Sequence, residues 1–238
     1  MLDNLNDNLL LRLAFGWSYK AWSHAFKVSN FQLPNKVDRI LEIGASENSM
    51  VALVFDGVAG EIVISYYSDE QKKGVEQYLA SVRKKYRLKS EYTLEKIDAT
   101  TIEGSFDIVV MKSVLGGLFR ENNSTIFDVT TFIGSLVSRA VKPEGLLISI
   151  DNGKSVIERT LSGFGARKTQ WRFFGQADLL SAIRKSGFGV ISSFSLETRF
   201  GYLGYVLDNY LIYPIDLVLY RFWRSNPTVI VSVFGSRS

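Results

Sequence analysis

Residues 40–49, ILEIGASENS, carry an apolar run into a polar turn at Gly44, with Glu42 at the end of the run. Glycine lets a backbone turn without a Cβ. A strand ending in such a turn opens many nucleotide-binding folds, whose ligands sit beyond the carboxyl ends of the strands. A carboxylate placed there either hydrogen-bonds a ligand amine or hydroxyl or orders the loop itself. The stretch holds one glycine, followed by Ala45, Ser46, Glu47, Asn48 and Ser49, so tight approach of a pyrophosphate is not expected. The loop also has no lysine in the G-K-[ST] sense, which excludes a P-loop.

Proton transfer has few candidates. His24 is the single histidine, the side chain whose ordinary titration lies nearest neutral pH. It falls on a helix expected over residues 9–28, near Trp17 and opposite the apolar stripe Phe15, Tyr19, Trp22 and Phe26. Asp151, at the end of an apolar run, and Glu47 are the alternative bases. A basic run follows: Lys154, Arg159, Arg167, Lys168 and Arg172, against the single acid Glu158. Arginine forks suit phosphates and sugar acids, and Trp171, Phe173 and Phe174 beside them could stack on a sugar ring. A solvated loop face is the other reading of that run. RKKYRLK at 83–89 reads as the exposed face of a helix.

Composition narrows the classes. The 238 residues contain no cysteine, which excludes disulfides, thiolate metal sites and cysteine nucleophiles, and one histidine excludes a multi-histidine metal site. A hydrophobic fraction of 46% against 22% charged residues supports a globular domain with a real core. The net charge of +4, without an arginine-rich arm, does not argue for nucleic acid. The start MLDNLNDNLLLRLAF lacks a basic opening and a small-residue cleavage site, so a cytoplasmic location is expected.

The elements that must position these residues alternate between strand and helix. Strands are expected at VDRILEIG, EIVISYY, near 92–97, FDIVVMKSV, LLISID, GVISSFSLE and PTVIVSVFG. Helices are expected at 69–87, 124–141 and 176–186, with VKPEG as the turn before the fifth strand. Such alternation predicts a doubly wound α/β sheet, mostly parallel and covered on both faces. One domain is expected over 1–238: a helical cap at 1–35, a core at 36–195, an aromatic insertion at 198–225 and a last strand at 226–238. The insertion is interrupted by Asp208, Pro214, Asp216 and Arg221, so no run reaches the roughly 18–20 apolar residues of a bilayer span. It reads as one or two amphipathic helices, with Pro214 opening the second. Three readings of it stay open: cover for the sheet edge, a homodimer interface or substrate lid, and peripheral membrane contact.

In order along the chain, LEIGAS, IDATTIEGSFDIVVMKSVLGGL and AVKPEGLLIS resemble the motifs of class I S-adenosylmethionine-dependent methyltransferases. The resemblance spans about 36–195. YYSDE, MKSVLGGL and DNGKS…GARKTQWRFF are similar to members in bacterial surface-polysaccharide gene clusters. The resemblance implies a seven-stranded Rossmann-like sheet with an antiparallel last strand, S-adenosylmethionine as cofactor, and a glycan or glycolipid acceptor methylated on oxygen. Carried over, Glu42, Gly44, Ala45 and Ser46 would line the methionine moiety, and Asp98 and Ala99 the adenine. Lys112 and Ser113 would stand where donor meets acceptor. The residues themselves, apart from the resemblance, offer His24 or Asp151 as base and Lys154, Lys168, Trp171 and Arg172 as acceptor contacts. Ser46 and Asn48 stand where the family's second and third glycines are usual. Tyr66, followed by Tyr67 and Ser68, stands where it carries a ribose-binding acid.

Overall fold

The computed structural model describes residues 8–16, 19–28, 32–34, 36–45, 48–120, 123–153, 172, 174, 185–189, 197–222 and 229–235. Five parallel strands form the body of the sheet, in the order β3 (Glu91–Lys96), β2 (Glu61–Tyr66), β1 (Arg39–Ile43), β4 (Phe106–Lys112) and β5 (Val141–Asn152). The sheet continues through β7 (Val229–Gly235), antiparallel to β5, to β6 (Lys185–Gly189), antiparallel to β7. The mostly parallel sheet expected from sequence therefore has a parallel body of five strands, and its remaining two pairings are antiparallel.

Burial explains the strand sequences. β1, β2 and β4 are buried along almost their whole length, because helices cover both faces and no position can be polar cheaply. On one face α1 (Asn8–Phe15), α2 (Tyr19–Val28), α3 (Val51–Val54) and α4 (Asp69–Tyr86) pack over Ile40, Ile62, Ile108 and Ile148. On the other, α5 (Leu115–Leu118) and α6 (Ile126–Ala140) pack over Leu41, Val63, Val109 and Leu147. Edge strand β3 alternates exposed and half-buried positions instead.

Helix ends follow local chemistry. Ser68 caps α4 by accepting the Gln71 N–H at 3.3 Å, and Arg87 ends it in the left-handed region at φ 53°. Thr125 and Asp128 close a reciprocal capping box on α6.

Several sequence expectations are corrected. The helix expected over 9–28 is two helices, because Gly16 at φ 70° caps α1 and donates to the Arg12 carbonyl at 2.9 Å. The four apolar residues of the stripe are nonetheless all buried. VKPEG is not only a turn: Val141 already pairs with Phe106, and a register shift follows before Ile108 meets Leu146. There Glu144 adopts φ 64°, and a Cβ on Gly145 would lie 2.8 Å from the Asp107 carbonyl oxygen. Residues 185–186, expected to end a helix, belong to β6. Positions 176–184 and 190–196 lie outside the described residues.

Asp107, the acid of the FDIVVMKSV stretch, is a clasp at the amino end of the sheet. It accepts the Asp38 and Arg39 N–H groups at 2.8 and 2.9 Å and pairs with Lys142 at 2.9 Å. Between β6 and β7, α7 (Glu197–Leu207), a π-helical turn (Asp208–Ile212) and α8 (Tyr213–Phe222) follow one another directly. Among the described residues no helix is long and apolar enough to cross a membrane.

Candidate functional site

Parallel strands bring their carboxyl ends to one edge, so Gly44, Tyr66, Asp98, Lys112 and Asp151 converge there although they lie far apart in sequence. At the end of β1 the Glu42 carboxylate is buried. It accepts the Met50 N–H at 3.0 Å and the Ser49 hydroxyl, whose oxygen in turn accepts the Ala52 N–H at 3.0 Å. Both oxygens are thus used to order the loop into α3. Burial pushes the Glu42 carboxyl up to about 7, against the Ser49, Met50 and Val51 donors and the Lys112 charge, which pull it down.

Gly44 turns the chain at φ 78° and donates to the Ser65 hydroxyl at 3.1 Å. An added Cβ would lie 2.6 Å from Val114 Cγ2. Ala45 is buried, while Ser46 and Glu47 lie outside the described residues.

At the end of β4, Lys112 is half-buried with its ammonium 5.7 Å from the Trp22 ring centre on α2. Burial lowers it to about 8, and Glu42 draws it back up. Ser113, next in the chain, holds φ 57° and donates its N–H to the Ile150 carbonyl at 2.7 Å. A non-glycine residue in the left-handed region costs on the order of 1 kcal/mol, and such strain gathers at functional sites.

Asp151, near the end of β5, is buried, and its Oδ2 accepts the Ser149 hydroxyl. Oδ1 has no hydrogen-bond partner of full geometry, although the Leu115 and Gly116 amides approach closely enough to favour the charged form. Burial dominates and raises the carboxyl to about 6. The Arg172 N–H donates to the Gly116 carbonyl at 3.0 Å and the Phe174 N–H to the Asn152 carbonyl at 3.0 Å, so these two residues pass beside the ends of α5 and β5.

At the end of β2, Tyr66 is half-buried with the Lys72 ammonium 5.7 Å from its ring centre. Tyr67 is 75% exposed, its N–H donating to Gln71 Oε1 at 2.8 Å, and Ser68 serves as the α4 cap. After β3, the exposed Asp98 accepts the Thr100 N–H and hydroxyl at 2.8 and 2.7 Å, which hold its carboxyl below its ordinary value. Ala99 behind it is buried.

Two candidates stand differently from the rest. His24 lies two residues from Trp22 and so faces the opposite side of α2, edge-on to Tyr213 with centroids 6.0 Å apart. Burial and the Lys27 charge lower its titration. The Arg172 guanidinium donates to the Phe119 carbonyl at 2.9 Å and to the Ser124 carbonyl, so it clamps its own chain. Lys154, Lys168 and Trp171 lie outside the described residues. Ser49, Trp22 and Ser149 are additions that sequence reasoning missed. Only Ser49 left a signal, as a serine three residues before a helical amide it could cap.

Among the described residues no cluster of acids or histidine could hold a metal. No protein-family model matches the sequence, and no curated protein matches it. Solved structures do match. Magnesium protoporphyrin IX methyltransferase from Synechocystis, with bound SAH, superposes with a TM-score of 0.55 at 15% identity, over 92% of this chain and 87% of that one. A putative methyltransferase from Haloferax volcanii, in complex with the Trm112 activator, gives 0.56 at 12% identity over 98% and 99%. The YcgJ protein from Bacillus subtilis gives 0.54 at 14% over 90% and 97%. The fold is that of the class I methyltransferases. Within that fold, the Gly44 turn, the exposed Tyr67 and the strained Ser113 all lie at the edge where such sheets bind ligands.

Proposed function

We propose that the chain is an S-adenosylmethionine-dependent methyltransferase acting on a hydroxyl oxygen of a glycan or lipid-linked sugar precursor. The observation that carries this reading is the Gly44 turn: a left-handed glycine at the carboxyl end of β1, tied to Ser65, where a Cβ would strike Val114 beside the strained end of β4. The residues fit the cofactor. Gly44 leaves exposed backbone for the methionine end, Tyr67 offers an open ring beyond β2, and Asp98 keeps a carboxylate for an exocyclic amine. When bound, the cofactor supplies an electrophilic methyl group on a sulfonium.

The protein's own part is placement and proton removal. In-line approach to the methyl group depends on holding the acceptor at contact distance. Glu42 acts through the loop it orders, as a positioning residue. Lys112 and Ser113 stand at the mouth of the site. Asp151 is the base we assign: it stands near the end of β5, and its carboxyl, raised by burial to about 6, is ionised at neutral pH yet basic enough to take a hydroxyl proton as the oxygen attacks. His24, turned toward Tyr213, is not assigned that role. The sugar acceptor rests on the resemblance of YYSDE, MKSVLGGL and the DNGKS…WRFF run.

Titration calorimetry with S-adenosylmethionine and S-adenosylhomocysteine tests the reading, with saturable binding of both as the expected result. Absence of heat at millimolar ligand, with the protein folded, favours the second reading, a non-catalytic binding or assembly protein. That alternative draws on two features, Ser46 and Asn48 where the resembling family has glycines and the tyrosines at 66 and 67 where it has a ribose-binding acid.

A further inference from the structure

The continuous helical rod Glu197–Phe222, roughly 40 Å long at about 1.5 Å per residue, has two unlike faces. Its inner face is anchored on α2. Tyr205 stacks on Tyr19 with centroids 6.2 Å apart, buried Asn209 accepts the Lys20 N–H at 3.2 Å, and Tyr213 meets His24. Its outer face carries Leu203, Leu207, Leu211, Ile215, Val218 and Phe222, spaced by three or four residues into one stripe. Apart from half-buried Leu207 these are exposed, up to 77% at Phe222, and Tyr202 and Tyr210 border them. The π-helical turn keeps the stripe in phase across the junction between α7 and α8.

We infer that this stripe is the self-association face of the protein, covered by the same stripe of a second copy running antiparallel. Together with the bordering rings of Tyr202 and Tyr210, the exposed side chains of the stripe amount to an area on the order of 800 Å², beyond the roughly 300–600 Å² patch of an ordinary monomer and close to what one partner contributes to a standard stable interface. A second rod offers the matching shape, because side chains four apart form ridges that enter the grooves of an identical helix. Antiparallel packing places Leu203 of one copy against Phe222 of the other, with Leu211 near the two-fold axis. The stripe itself carries no charged side chain. Among the described residues, Lys20 at its margin sits 3.6 Å from the Tyr210 ring centre, engaged with the protein's own ring. This face does not depend on the catalytic reading.

Sedimentation velocity of the purified full chain across a dilution series tests the inference. A concentration-dependent dimer is expected, and Leu211→Glu is expected to raise its dissociation constant at least about tenfold. Mixing Leu211→Glu with Leu211→Lys chains should restore a heterodimer, since the two charges meet near the axis. Circular dichroism confirms that each variant is folded, and Ile215→Asp provides a second disruption. A monomer at every concentration overturns the inference, as does a dimer untouched by both disruptions. Co-sedimentation of the monomeric chain with anionic phospholipid vesicles, abolished by the same variants, overturns it in favour of a lipid surface.

Discussion

Lys112 and Glu42 lie near the carboxyl ends of neighbouring strands, and each favours the charged form of the other, although burial outweighs that attraction at both. Lys112 also leans on Trp22, so β1, β4 and α2 meet at one electrostatic joint.

The joint has a pH signature. The folded carboxyl of Glu42, near 7 instead of 4.5, favours the protonated form, so its contribution to stability is complete at low pH and is lost as pH rises toward 7. The shift corresponds to an order of about 3 kcal/mol. Glu42→Gln keeps a hydrogen-bonding group and should flatten the thermal midpoint between those pH values. Glu42→Ala, which frees Ser49 and Met50, should weaken S-adenosylmethionine binding at least about tenfold, or about 1.4 kcal/mol. An unchanged dissociation constant in calorimetry removes Glu42 from the site.

Asp151 makes a sharper case, because stability and turnover move in opposite directions. Its carboxyl rises from 3.8 to about 6, so stability that is present at low pH is lost as pH rises from about 4 through 6. Asp151→Asn should stabilise the protein at pH 8, with an upper bound of about 3 kcal/mol, and leave it unchanged at pH 4. The same variant should lose turnover, and wild-type turnover should rise through pH 6. Full activity in Asp151→Asn would return the role of base to another group.

Gly44→Ala meets two obstacles, a left-handed φ and the Val114 methyl at 2.6 Å. A loss of about 1–3 kcal/mol in unfolding free energy is expected, along with weakened cofactor binding. Adding Val114→Ala should recover part of that loss by removing the contact and leaving the backbone strain. Complete recovery by the double variant in denaturant melts would show that φ contributes nothing.

Tyr67 touches little of its own protein, so Tyr67→Ala should move stability by no more than about 0.5 kcal/mol. If its ring packs on the cofactor, affinity should fall by about 0.5–1.5 kcal/mol. Parallel melts and calorimetry separate the two effects, and an unaltered affinity means the ring is simply exposed.

The buried strands were readable because burial on both faces leaves an unbroken apolar run, as in ILEI and FDIVVM. The turn at Gly44 was readable because only glycine turns there without strain. The N-terminal break was not, since the apolar stripe stays in phase through Gly16 and a single glycine is tolerated in many helices. The chemistry of the site was harder to read. Asp107 lies within the same motif stretch as Asp98, yet it is spent on three donors at the far end of the sheet, a long-range arrangement invisible to spacing. Asp151 and Ser149 show the reverse: alternation puts them on one face, but the burial that raises the Asp151 carboxyl, and the α5 amides that oppose it, appear only in the folded chain.

β7 is the last of the described strands in sequence order yet lies inside the sheet, between β5 and β6. During synthesis the long flank of β5 therefore stays open until residues after 228 emerge, while the rod that precedes them is already complete. An open flank of this kind recruits strands from other molecules. Products cut short ahead of Val229 should accumulate as insoluble β-rich aggregates, which makes the final strand the step that commits a nascent chain to solubility.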